Sequence, residues 1–188
     1  GACAEYWFDK KDITPEKREG KTYLMLNTGV GGSYIDRENI RFGKHNRYGE
    51  FGHMTLYPAG RPCFCGKRGC FESYVSARCL STDLGITLDT FFDKLENGNE
   101  EYKKIFDKYL DDLTTGINTL YIMSDGDVIV GGPVAVYLEK YKDIISKMLI
   151  DKCSFDIDGS YLSFAKCTQQ QADSGAALTF FSDFISQI

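Results

Sequence analysis

The stretch 49-GEFGHMTLYPAGRPCFCGKRGCFE-72 gathers three of the chain's seven cysteines, one of its two histidines and two glutamates into twenty-four residues. His53, Cys63, Cys65 and Cys70 are donors of the kind Zn²⁺ prefers, thiolate sulfur and imidazole nitrogen in a tetrahedron. Gly66 and Gly69 stand where the chain has to reverse to bring Cys70 back beside Cys63 and Cys65. Four protein ligands leave no open coordination position, so the metal they imply fastens a loop and does not activate water. Three free thiols in a loop, or a disulfide with one thiol left over, compete for the same residues. The density of donors, the glycines between them and the lack of an export signal favour zinc. Such a clip holds Glu50 and Glu72, which flank the ligands, in poses a glycine-rich loop cannot keep alone. The competing reading is that both are plain surface carboxylates.

Outward from this stretch the chain reads as an ordinary globular domain. Its 188 residues suffice for one sizeable core, with 43% apolar and 26% charged residues. The formal net charge of -5 offers no large positive field for a phosphate backbone, which argues against nucleic acid as a partner of this segment. The longest apolar runs, such as "VIVGGPVAVYL" at 128–138, fall short of the ~20 residues that cross a bilayer, so the expected location is cytoplasmic. Cys3, Cys79, Cys153 and Cys167 are scattered in apolar contexts and read as small buried hydrophobes. The opening at Gly1, directly into "ACAEYWF", reads as the interior of a longer protein.

"TYLMLNTGVGGSYI" at 22–35 reads as strand, glycine turn and strand, with a third short strand near Ile40 to Phe42. Residues 43–72 read mostly as loop, and "SYVSARCL" after Glu72 as a helix opened by Ser73. From 101 to 123, Ile105, Tyr109, Leu113, Ile117 and Leu120 recur at helical spacing and predict a helix with one buried stripe. "DVIVGG" at 127–132 predicts a strand and glycine turn feeding a helix that carries Val136, Leu138, Tyr141 and Ile144 or Ile145. That order marks an α/β unit. A strand near 160–167 and a closing helix capped by Asp173 complete the reading.

Gly-Glu-x-Gly-His followed by Cys-x-Cys-Gly-x-x-Gly-Cys-x-Glu resembles the signature of the ROK family, which joins bacterial sugar kinases to sugar-responsive transcriptional repressors. The resemblance implies an α/β chain, one lobe of an actin-like (ribonuclease H-like) ATPase fold with a zinc-binding loop at 49–72. It spans nearly all of 1–188 but only the C-terminal half of a family member, the N-terminal lobe lying outside this chain. By the same resemblance His53, Cys63, Cys65 and Cys70 hold structural Zn²⁺, while Glu50, His53 and Glu72 face the sugar. "LNTGVGG" at 26–32 is similar to the family's second phosphate turn, with Thr28, Gly29, Gly31 and Gly32 toward phosphate. Asn27 stands there in place of glycine, and Ser33 where another glycine is common. A glycine-rich hairpin with no ligand is the competing reading of that turn. Gly131 and Gly132 are similar to the glycine pair on the adenosine side, and equally to an ordinary strand-to-helix turn. "ACAEYWF" aligns with the family's Asn-Asp-Ala-Asn-Ala. The general-base aspartate then falls at Gly1, leaving no catalytic residue in the chain, and Cys3 replaces an asparagine that contacts sugar.

Two functions follow from the resemblance. One is an ATP- and Mg²⁺-dependent kinase of a hexose or N-acetylhexosamine, favoured by Thr28 and the turn glycines. The other is the effector-binding domain of a repressor that would touch DNA only through an upstream helix-turn-helix domain, favoured by Asn27, Ser33 and Cys3. Tyr57 and Phe71 near the clip are candidates for a dimer surface, and a homo-oligomer is expected.

Overall fold

The structure is a computed structural model that describes residues 20–36, 39–155 and 158–165. Strands β1 (Lys21–Leu26) and β2 (Val30–Asp36) pair antiparallel with Leu26 opposite Val30, so the intervening turn is only Asn27–Gly29. Strand β3 (Asn39–Ile40) adds to β2. Strands β4 (Asp127–Gly131) and β5 (Leu162–Phe164) run parallel to β1, giving the order β3-β2-β1-β4-β5. The period of two divides the strand residues between two cores. Leu24, Leu26, Val128 and Val130 join the main core, whereas Tyr23, Ile35 and Ile129 form a small cluster of their own.

Helix α1 (Glu72–Val75) leads out of the cysteine loop, followed by α2 (Leu88–Glu96) and α3 (Glu100–Ser124). Asn99 caps α3, its side chain accepting from the backbone N–H of Glu101 and Tyr102. Tyr109, Leu113, Ile117 and Leu120 of the expected stripe are buried, joined by Phe106 and Leu110, while Ile105 packs at its edge. After β4 the chain forms α4 (Ala135–Leu138), a 3₁₀ turn and α5 (Lys142–Lys152). No helix among the described residues is long and apolar enough to cross a membrane.

Several expectations need correction. Ser73 lies inside α1, where Phe71 occupies the N-cap position without a side-chain bond, and the Ser73 hydroxyl donates to the carbonyl of Pro62. The single helix expected after the β4 glycines is broken into three pieces, and Val136 and Ile144 face solvent while Leu138 and Ile145 are buried. Helix α2 gave no readable stripe, because its buried residues are the adjacent Phe91 and Phe92. Phe71 is 0% exposed and cannot belong to a dimer surface. Gly1, Cys3, Cys167 and the helix from Asp173 lie outside the described residues.

Phe71 seats the cysteine loop on α3. A Cβ added at Gly116 of α3 would stand 2.3 Å from the Phe71 ring, so only glycine lets the ring lie on the helix backbone. Gly116→Ala is expected to cost about 1–3 kcal/mol through overpacking, despite alanine's better helix propensity. Denaturant unfolding of the two forms checks this.

Candidate metal centre and the adjoining cleft

His53 ends a 3₁₀ turn, Phe51–His53, and the three cysteines come from the knuckle that follows. Isolated bridges Thr55–Cys70 and Pro62–Arg68 close that knuckle. Gly66 and Gly69 adopt φ of 80° and 82°, the left-handed conformation that the reversal needs. One donor atom each from His53, Cys63, Cys65 and Cys70 lies within 4.8 Å of every other. The Cys65 and Cys70 sulfurs are 3.7 Å apart, and His53 Nδ1 is 3.9 Å from Cys63 Sγ. Thiolates on a tetrahedral zinc at ~2.3 Å stand about 3.8 Å apart, so the donor set fits that ion.

Burial pushes the Cys70 thiol up to about 12 and raises that of Cys63, whereas exposed Cys65 is lowered, chiefly by its hydrogen bond to the Lys67 backbone. An ion at the centre would remove protons from these thiols. Because a thiol raised in the metal-free state keeps its proton at neutral pH, binding must release it, and affinity must fall as pH falls. Acidification from pH ~7.5 to ~5 is therefore expected to free the metal, read with a chelating dye.

Around the donors stand the two glutamates. His53 Nδ1 faces Cys63, while Nε2 points toward Glu50 Oε2 at 3.8 Å. Glu50 is largely exposed. Glu72, at 15% side-chain exposure, is held at both oxygens: Oε2 accepts from the Val30 N–H at 3.1 Å and Oε1 from the Cys63 thiol at 3.2 Å. A Cβ on Gly29 would come within 2.9 Å of Glu72 Oε2. The glycine of that turn makes room for the carboxylate.

Thr28 is exposed at the tip of the β1–β2 turn, and it lines the same cavity of about 870 Å³ as Glu72. Glu50 and His53 are not among the lining residues. Gly31 and Gly32 fall within β2, beyond the turn. A side chain on Gly32 would strike Phe51, and one on Gly49 the carbonyl of Gly32, so these glycines let the front of the loop lie on the sheet. Gly132 has φ of 94°, and a Cβ there would meet Leu26 O and Asn27 Oδ1 at 2.5 and 2.9 Å. The two glycine turns thus lie side by side.

Lys108 and Asp112 escaped the sequence reading, and they engage Tyr57, which that reading placed at a dimer surface. Tyr57 donates to Asp112 Oδ1 at 2.6 Å, and Lys108 donates to the Tyr57 hydroxyl at 2.6 Å and to Asp112. Lys108 and Asp112 line the cavity. Burial opposes the Lys108 charge, yet its bonds to Asp112 and Tyr57 raise its pKa above the ordinary lysine value. The available signal was an acid one turn after a lysine, beside the apolar stripe of α3.

Residues 1–181 match the family model described as ROK family. Over 164 residues the chain is 28% identical to an N-acetylmannosamine kinase of Escherichia coli, a match covering 84% of this chain and 54% of that protein. The chain spans about half the length of the curated relatives it matches. It superposes on the ROK hexokinase of Thermus thermophilus with a TM-score of 0.76 and 26% identity, covering 87% of this chain and 58% of the other. On a ROK family transcriptional regulator, a homolog of the E. coli MLC protein, the TM-score is 0.73 at 20% identity, covering 94% and 48%.

Proposed function

Since the chain belongs to the ROK family, we propose that it is the sugar-binding C-terminal lobe of an ATP-dependent carbohydrate kinase acting on a hexose or N-acetylhexosamine. The observation that carries this reading is the shared cavity: Thr28 of the glycine turn and Glu72 of the cysteine knuckle line one space and are tied together through Val30. A phosphate turn and a hydroxyl-binding carboxylate must meet if phosphate is to pass to a sugar oxygen.

In this reading Glu72 on the cavity wall fixes the sugar together with His53, 3.9 Å from it, and Glu50 beyond, both outside the lining itself, each carboxylate accepting directed hydroxyl hydrogen bonds. His53, Cys63, Cys65 and Cys70 would hold structural Zn²⁺. With its sulfur on that ion, Cys63 would have no proton to give, which would free Glu72 Oε1 for a sugar hydroxyl. Thr28 and Gly29 receive phosphate, with Gly31 and Gly32 shaping the strand behind them, and Gly131 and Gly132 border the adenosine. The aspartate that deprotonates the sugar hydroxyl belongs to the segment aligned at Gly1, and the Mg²⁺-bound nucleotide is shared with a preceding lobe. The full-length protein works in the cytoplasm.

A second reading, the sugar-sensing domain of a repressor, draws on Asn27. Its Oδ1 lies against Gly132, which puts a side chain between the two glycine turns where a nucleotide has to enter. Coupled ATP turnover by the full-length protein over a panel of hexoses and N-acetylhexosamines separates the two. Saturable turnover with one sugar is expected. Saturable sugar binding without turnover would move the assignment to the repressor, and no sugar binding at all would sink both.

A further inference from the structure

Asp112 is 2% exposed in the middle of α3, a costly place for a carboxylate unless its partners have a purpose. One partner, Lys108, is on its own helix. The other, Tyr57, belongs to the cysteine loop, fifty-five residues away in sequence. Lys108 also approaches Asp111 at 3.6 Å, and Asp111 accepts from Lys152 of α5 at 2.6 Å, so the network reaches α5. The Tyr57 ring packs edge-on against Tyr74 at 4.9 Å, two residues after Glu72 on α1. A continuous path therefore runs from Asp112 through Tyr57 and Tyr74 to the element that carries Glu72, and Asp112, Tyr74 and Glu72 line the cavity.

We propose that Tyr57, held by Asp112 and Lys108, is a positioning residue: it anchors the cysteine knuckle to α3 and so sets the pose of Glu72 in the cavity. The part of this inference that concerns sugar rests on the reading given under Proposed function. The anchor itself does not. A buried charged network at the seam between a loop and a helix specifies one arrangement where apolar contact alone would tolerate several.

The test uses the full-length protein and Tyr57→Phe, which keeps the ring on Tyr74 and removes only the hydroxyl. Metal content is expected to be unchanged, with release of zinc to a chelator accelerated about tenfold, the equivalent of ~1.4 kcal/mol. The KM for sugar is expected to rise about tenfold while the KM for ATP stays within about twofold. Asp112→Asn combined with Tyr57→Phe should add less than the sum of the two changes. Unaltered zinc release would overturn the anchor. An equal rise in both KM values would reduce Tyr57 to a merely structural role. If the wild-type protein binds no sugar, the sugar reading falls by itself, and the chelator rates still decide the anchor.

Discussion

Gly69→Ala is expected to empty the metal centre while leaving the rest of the lobe folded. A Cβ at this position would lie 1.7 Å from the Tyr57 carbonyl oxygen and 2.7 Å from its carbon, both backbone atoms that cannot swing aside. The left-handed φ of 82° adds about 1 kcal/mol of strain for any side chain. The same residue accepts at its carbonyl from the N–H groups of Leu56 and Tyr57 and donates its own N–H to Arg61. It is where the two arms of the knuckle cross. Relief of the clash has to break that crossing, which carries Cys70 away from Cys63 and Cys65. The buried residues of the main core, Leu113, Ile117, Val128 and Leu149 among them, do not include Gly69, Tyr57, Arg61 or the cysteines, and of the crossing residues only Leu56 packs against it. Zinc measured by elemental analysis should drop below about a tenth of the wild-type value, with far-ultraviolet dichroism retained. Gly66→Ala provides the control: its φ is 80°, but an added Cβ meets nothing within 4 Å. That variant bears the strain alone, about 1 kcal/mol, and should keep its metal. Retention of metal by both variants would mean that the knuckle does not close as described.

These two glycines show how far the sequence could be read. That both must reverse the chain was legible from their spacing between cysteines. That one crosses a backbone and the other faces open space was not, because the crossing partner, Tyr57, is identified only by three-dimensional proximity. The same limit explains the rest. The strand pair 21–36 and helix 100–124 were legible because an apolar run broken by a glycine turn and a helical period are local signals. Phe71 looked like a surface residue because it sits among loop residues, and its burial depends on the absence of a side chain at Gly116, forty-five positions on. Gly31 and Gly32 looked like turn residues because pairing register cannot be read from composition. The register places them opposite Met25 and Leu24.

Glu72→Gln is expected to abolish most sugar affinity while sparing both the fold and the metal. Glutamine keeps an oxygen to accept from the Val30 N–H, and its amide can donate toward Cys63 once that sulfur is a thiolate, so both neighbours stay satisfied. What it loses is the second carboxylate oxygen and the charge, the two properties that make the group a strong acceptor for sugar hydroxyls. Two charge-assisted hydrogen bonds at ~1.5 kcal/mol each correspond to about a hundredfold in Kd, measurable by calorimetry with the sugar that the full-length protein prefers. Glu72→Ala should behave differently. It also strands the Val30 N–H beside the glycine turn, costing about 1–3 kcal/mol of stability, and so loosens Thr28 together with the sugar contact. If the carboxylate serves only as a strut between the knuckle and β2, glutamine would bind sugar like the wild type and only alanine would fail. A hundredfold loss in glutamine with metal and melting temperature intact is the result that makes Glu72 a ligand for the sugar as well as a strut.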